Sequence, residues 1–233
     1  MLGSVAASRA AIQRNVAEIR SRISAAADRS GRDPDDVRIV AAAKTVDPAR
    51  VRWAVDAGIT AVGQNYVQEL AVARAALGDL PLRWHYIGAL RSGTAARVAD
   101  LADVVETVAA ERSARRLAGR VDRAGAVLEA LIEVDFTETR SGVPPDRVPA
   151  TADLIASLEG LHLRGLMTVP PIGEDAEAAR PWFARLRALR DRLRETHPDV
   201  LELSMGMSLD YAVAVEEGAT MVRIGTALFG PRV

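Results

Sequence analysis

The sequence predicts an α/β protein, a (β/α)8 TIM barrel with one extra helix ahead of its first strand. Three observations carry that expectation. Short β-branched-rich apolar runs alternate with segments of helical period, about eight such runs follow residue 37, and no glycine-rich fingerprint succeeds the first of them. The last point sets aside the runner-up, an open doubly wound sheet, which shares the alternation but carries a Gly-rich loop after its first strand.

Residues 1–32 alternate apolar residues with Arg, Glu and Gln at helical spacing, which predicts a helix packed on the barrel; they contain no apolar run of signal-peptide length. Residues 37–43 (VRIVAAA), bounded by Pro34 and by Lys44-Thr45, read as the first buried strand and put Lys44 at its C-terminal end. Asp47-Pro48 then opens a helix that Gly58 stops. The unit recurs with strands at 61–65, 84–87, 103–108, 127–134, 163–167, 201–204 and 221–224. Helices are expected from near Tyr66, from about Gly93, and over 111–124 and 176–196, the last with Trp182-Phe183 as core packing. Residues 142–149, with adjacent prolines, read as a long βα loop. With no linker-like tract or repeat, residues 1–233 are expected to form a single domain, since one barrel occupies roughly 200 to 250 residues.

Composition narrows the function. A net charge of −1 argues against a surface built for nucleic acid. The absence of cysteine excludes disulfides, thiolate catalysis and Cys-based zinc sites. Three scattered histidines offer no metal-ligand spacing, and neither an HExxH segment nor a GxSxG elbow is present. No apolar run is long enough to span a bilayer, so a cytoplasmic protein is expected, and a monomer.

Of the 30 basic residues one alone, Lys44, is a lysine. Guanidinium cannot act as an amine nucleophile, so this residue is a candidate for amine chemistry, against the alternative of chance survival at a solvated position. In a βα barrel the reactive groups lie where strands end. That rule collects Lys44, Asn65, the neighbourhood of His85, Thr168, the run Ser204-Met205-Gly206-Met207-Ser208 and the run Arg223-Ile224-Gly225-Thr226. The two glycine-bearing runs follow the seventh and eighth strands, a frequent phosphate site of this fold, where Gly206 and Gly225 permit close backbone approach and Ser208 caps the helix that starts there. Taken singly, Ser208 and Thr226 read more readily as plain helix caps; the two adjacent glycine-bearing turns shift the balance toward an anion site. Arg223, on an otherwise apolar strand, needs an acceptor, which a ligand ring nitrogen or a barrel carboxylate such as Glu106 or Glu133 can supply. Lys44 adjoins these runs because the first strand neighbours the eighth when the barrel closes. An aldehyde bearing a phosphate satisfies amine, anion nest and arginine together. His85 reads either as a core hydrogen-bonding histidine or as a group aimed at the mouth.

On AAAKTVDP at 41–48, GQNYVQEL at 63–70, WHYIGAL at 84–90, RGLMTVPP at 164–171, LSMGMSLDY at 203–211 and VRIGTALFGPR at 222–232, nearly the whole chain resembles the pyridoxal phosphate homeostasis protein family, relatives of the barrel domain of alanine racemase. The resemblance implies an alanine racemase N-terminal-domain-like barrel that binds pyridoxal 5′-phosphate as a covalent aldimine (Schiff base) on Lys44. It implies that Ser208, Gly225 and Thr226 hold the phosphate, that Arg223 faces the pyridine nitrogen, and that Asn65, His85 and Met207 complete the site. An arginine there keeps the ring nitrogen unprotonated and disfavours carbanion chemistry. The resemblance also implies no second, β-rich domain closing over substrate, and hence a carrier that stores and delivers the cofactor to apo enzymes. A racemase-like enzyme, with His85 and Tyr66 near the mouth, is the alternative, and a barrel for some other phosphate with Lys44 as counter-ion a third. Gln64 stands where the family has a carboxylate, and Ala89 and Gly93-Thr94 fall in a segment that usually reads IGHLQSNK. Arg140 replaces a common second lysine.

Overall fold

In the computed structural model, which describes residues 8–137, 141–171 and 173–231, eight strands pair in parallel and close on themselves in chain order. They are β1 (Arg38–Ala42), β2 (Ala61–Gln64), β3 (Arg83–Tyr86), β4 (Val104–Val108), β5 (Leu128–Glu133), β6 (Leu161–Met167), β7 (Glu202–Ser204) and β8 (Met221–Ile224). The ring is sealed where β1 pairs with β8, Val40 opposite Arg223 and Ala41 opposite Ile224. The intervening helices are α2 (Pro48–Asp56), α3 (Val67–Leu77), α4 (Ser92–Leu101), α5 (Glu111–Val121), α6 (Val148–Ala156), α7 (Arg180–Leu193) and α8 (Tyr211–Glu216), with a last turn, α9 (Thr226–Phe229), after β8.

Strand alternation divides the core in two. Val40, Ala61, Val104, Leu131, Met167 and Met221 pack inside the ring, while residues one step along each strand face the helices. The interior fills in layers drawn from alternate strands, as the fold requires. Arg38, Arg83, Glu129 and Glu202 of the odd strands form the floor, with Arg83 and Glu129 2.8 Å apart. Two residues further along those same strands come Val40, His85, Leu131 and Ser204.

The helix expected over 1–32 is α1 (Arg9–Ser30); residues 1–7 lie outside the described residues. The Ser8 hydroxyl caps it by accepting from the Ala11 amide, and Gly31 ends it at φ 65°, a left-handed conformation that costs glycine little. Its apolar stripe, Ile12, Val16, Ile19 and Ile23, is buried, and the helix packs against α2, α8 and α9, outside the β8–β1 seam. In the expected 142–149 loop a short 3-10 turn (Pro145–Arg147) leads straight into α6, whose first turn tolerates Pro149 because no intrahelical N–H donor is needed there and proline has none. Trp182 is half-buried rather than in the core and stacks with Phe136 and Arg185, whereas Phe183 is fully buried.

Candidate functional site

Lys44 lies two residues beyond the end of β1, on a turn closed by the Val46 amide donating to the Ala43 carbonyl at 3.0 Å. The next residue, Thr45, has φ 60° and is the single described non-glycine residue with positive φ, an unfavourable conformation for a β-branched side chain. Its amide donates to the Glu69 carboxylate of α3 at 3.4 Å. Lys44 is half-buried, and its Nζ lies 5.0 Å from the centre of the Tyr66 ring, within cation–π range.

Lys44 lines a cavity of about 310 Å³ together with Asn65, Met207, Ser208, Arg223, Gly225 and Thr226. Seven of the eight expected site residues therefore share one cavity, which the structure completes with Leu209 and Phe229. A second cavity of about 560 Å³ shares Asn65, Met207 and Arg223 with the first and extends to Gly88, Thr107 and Glu133.

His85 is the exception. It is completely buried and lines neither cavity; the residue that reaches the second cavity is Ile87, just past the end of β3. β3 begins at Arg83, one residue earlier than expected, and His85 occupies the interior layer beneath Glu106 and Arg223. Its Nδ1 lies 2.6 Å from the Glu106 carboxylate, which is the hydrogen-bonding core role rather than a place at the mouth.

Arg223 finds several acceptors. One guanidinium nitrogen donates to the Ser204 hydroxyl at 2.6 Å and another to the Thr168 carbonyl at 2.8 Å. The Ser204 hydroxyl in turn donates to Glu106 at 2.5 Å, and Glu106 lies 3.8 Å from the guanidinium. Burial opposes ionisation of Glu106, but the hydrogen bond and charge of His85, the charge of Arg223 and the Ser204 hydroxyl outweigh it and hold the carboxyl below its ordinary value.

The two glycine-bearing turns are tied to one another. Ser208 does not cap the helix after its own strand, because α8 starts only at Tyr211; its hydroxyl accepts instead from the Ala227 amide, at 3.0 Å, in the first turn of α9. Thr226 is exposed and is the first residue of α9 rather than its cap, a position held by Gly225. Gly206 has φ 92°, and a Cβ there would meet the Ala214 methyl at 2.5 Å. From outside the ring, the Asn15 amide of α1 donates to the Leu228 carbonyl at 2.9 Å, and Arg50 of α2 donates to the Phe229 carbonyl.

Gln64 is buried and lines a small separate cavity of about 210 Å³ with Ala43, Thr45, Val46 and Glu69, behind the Lys44 turn. Ala89 is exposed at the second cavity and Gly93-Thr94 lie in the first turn of α4, whereas Arg140 lies outside the described residues. Glu106 was read from the sequence as a possible partner of Arg223, but its link to His85 and the support that Asn15 gives α9 were not legible, because neither residue sits at a strand end. Among the described residues no helix is long and apolar enough to cross a membrane.

Residues 8–233 match the family model for the alanine racemase N-terminal domain. The chain is 40% identical over 223 residues to the pyridoxal phosphate homeostasis protein of Pseudomonas aeruginosa PAO1, covering 95% of this chain and 96% of that one. It is 38% identical over 220 residues to the protein of the same name from Aquifex aeolicus VF5, covering 93% and 96%. Among solved structures it superposes on PipY of Synechococcus elongatus PCC7942, solved with PLP bound, with a TM-score of 0.84 at 33% identity over 94% of this chain and all of that one. Alanine racemase of Clostridium difficile 630 shares the fold, with a TM-score of 0.73 at 16% identity, covering 94% of this chain and 57% of the racemase. The chain thus belongs to the pyridoxal phosphate homeostasis protein family, whose barrel is that of the alanine racemase N-terminal domain.

Proposed function

We propose that this protein binds pyridoxal 5′-phosphate through a Schiff base on Lys44 and serves as a carrier that stores the cofactor and delivers it to apo enzymes. The observation behind this reading is that the chain's one lysine opens into the same cavity as a buried arginine and two interlocked glycine-bearing turns. A phosphate fits there because first-turn amides lack intrahelical partners and Gly225 adds no side chain to the approach. Arg223 would offer a donor to a ring nitrogen and Asn65 and Met207, which line the same cavity, would lie beside the ring; the relatives' name and the PLP-bound PipY structure support the same ligand.

When bound, pyridoxal phosphate supplies an electrophilic carbonyl. Lys44 supplies the amine, held in place by its strained turn, and Tyr66 screens one side of it. Ser208, Gly225 and Thr226 would hold the ionic end, and Arg223 would keep the ring nitrogen an acceptor and so disfavour carbanion chemistry. His85, below the cavity, acts through Glu106 rather than by contact. The barrel works as one domain, and as a monomer.

The test is a visible spectrum of the purified protein with added pyridoxal phosphate, followed by borohydride reduction and mass spectrometry. The expected result is an imine absorbance fixed to Lys44 and absent from Lys44→Arg, whose guanidinium can pair with an anion but cannot condense. A protein left colourless once free cofactor is removed, or a label elsewhere, sinks the reading; retention of phosphate ligands by Lys44→Arg without colour in the parent protein points to a barrel for other phosphates. The second cavity, large enough for an amino acid beside the cofactor, favours a racemase-like activity as the second reading. Deuterium exchange at Cα of amino acids above the rate with free cofactor would establish it.

A further inference from the structure

Four interior side chains form one chain of hydrogen bonds across the barrel, from His85 on β3 through Glu106 on β4 and Ser204 on β7 to Arg223 on β8. All four are at least nine-tenths buried, and of them Arg223 alone lines the cavities. The order of donors is fixed by chemistry. Guanidinium has no acceptor, so Ser204 accepts from Arg223; the hydroxyl's own proton then goes to the Glu106 carboxylate. The hydroxyl therefore acts as a spacer. It keeps the guanidinium 3.8 Å from the carboxylate instead of in direct contact, so that Arg223 is held at the cavity wall rather than drawn down onto Glu106. The Thr168 carbonyl holds the other end of the guanidinium and fixes its plane. Held in these fixed directions, the guanidinium has little freedom to follow a ligand.

We infer that Ser204 and Glu106 are positioning residues which, by aiming Arg223, make the site select an aromatic ring with an acceptor nitrogen over the same ring without one. The inference rests on the reading of the site given above and concerns how it discriminates, not whether it binds. Neither residue touches the ligand.

The experiment compares pyridoxal 5′-phosphate with its deaza analogue, in which a ring CH replaces the nitrogen, using the ratio of their dissociation constants. The parent protein is expected to favour the pyridine by about tenfold, because the analogue offers no acceptor to the guanidinium. Ser204→Ala removes the spacer, lets Arg223 collapse toward Glu106, and is expected to bring the ratio to within about twofold of unity. Glu106→Gln, which keeps the side chain's shape, is expected to lower the ratio in the same direction. In an Arg223→Gln background both changes should leave the ratio unmoved, since they act through the guanidinium. Affinity for inorganic phosphate, which does not engage the ring-binding group, reads whether each variant still presents the anion turn. A ratio in Ser204→Ala equal to that of the parent, with phosphate binding intact, overturns the inference. Loss of phosphate binding in Ser204→Ala together with Glu106→Gln, an unchanged ratio in the latter, or an effect that persists without Arg223, assigns the network to barrel packing and also overturns it. Absence of an imine in the parent protein instead removes the underlying reading.

Discussion

The Ser208 hydroxyl accepts a hydrogen bond from the Ala227 amide at 3.0 Å, so the loop after β7 caps the turn after β8. The cap satisfies one of the orphan amides of α9 while orienting its neighbours. Ser208→Ala is expected to lower stability by about 1 kcal/mol in urea unfolding and to weaken pyridoxal phosphate binding several-fold. Lower stability with unchanged affinity would make Ser208 a purely structural residue.

Asn15 tests whether α1 supports the site from outside. Its amide donates to the Leu228 carbonyl at 2.9 Å, and it lines neither cavity at the mouth. Asn15→Ala is expected to cost about 1 kcal/mol and, by loosening α9, to weaken phosphate binding without contact. Titration with inorganic phosphate measures the second effect; no change there confines Asn15 to packing α1.

Thr45 separates stability from function. Its positive φ costs on the order of 1–2 kcal/mol, and glycine relieves that strain while losing about 0.5–1 kcal/mol in the entropy of the unfolded chain. Thr45→Gly is therefore expected to melt within a few degrees of the parent yet to form the imine more slowly, because the Lys44 turn is less fixed. Equal imine formation rates in stopped-flow absorbance would show that the turn does not position the amine.

The buried carboxylate gives a signed pH effect. Although burial raises it, His85, Arg223 and Ser204 together hold the Glu106 carboxyl below its ordinary value. A depressed folded-state carboxyl contributes stability that is fully present above the unfolded value of about 4.3 and is lost as pH falls through the folded one. Below about pH 4.3 the parent protein is expected to lose stability more steeply than Glu106→Gln, which lacks this group. Parallel urea-midpoint profiles for the two proteins between neutral pH and pH 3 would contradict the assignment.

Much of the scaffold was legible because parallel strands of a barrel are apolar on both faces and stand out as short runs. The β8 run at Met221–Ile224 agrees with the structure to the residue, and the other strands differ by one or two positions at their ends. Placing Lys44 beside the two late turns required only strand order and ring closure. What the sequence hid was depth. His85 is a polar residue near a strand end on paper, but in space it is completely buried and turned to the Glu106 carboxylate inside the ring. The partners of Ser208 and Arg223 were equally hidden, because Ala227, Ser204 and Thr168 meet them through tertiary contact. For Arg223 the alternative of a carboxylate neighbour proved real, with Glu106 3.8 Å away.

Lys44 follows the first strand and Arg223 belongs to the last, so a ligand gripping both sits astride the seam where the ring was sealed. Such a ligand finds no complete site until β8 has docked, and once seated it latches that junction shut. Amide hydrogens along the β1–β8 ladder should accordingly exchange more slowly on loading than those of β4 and β5, on the far side of the barrel.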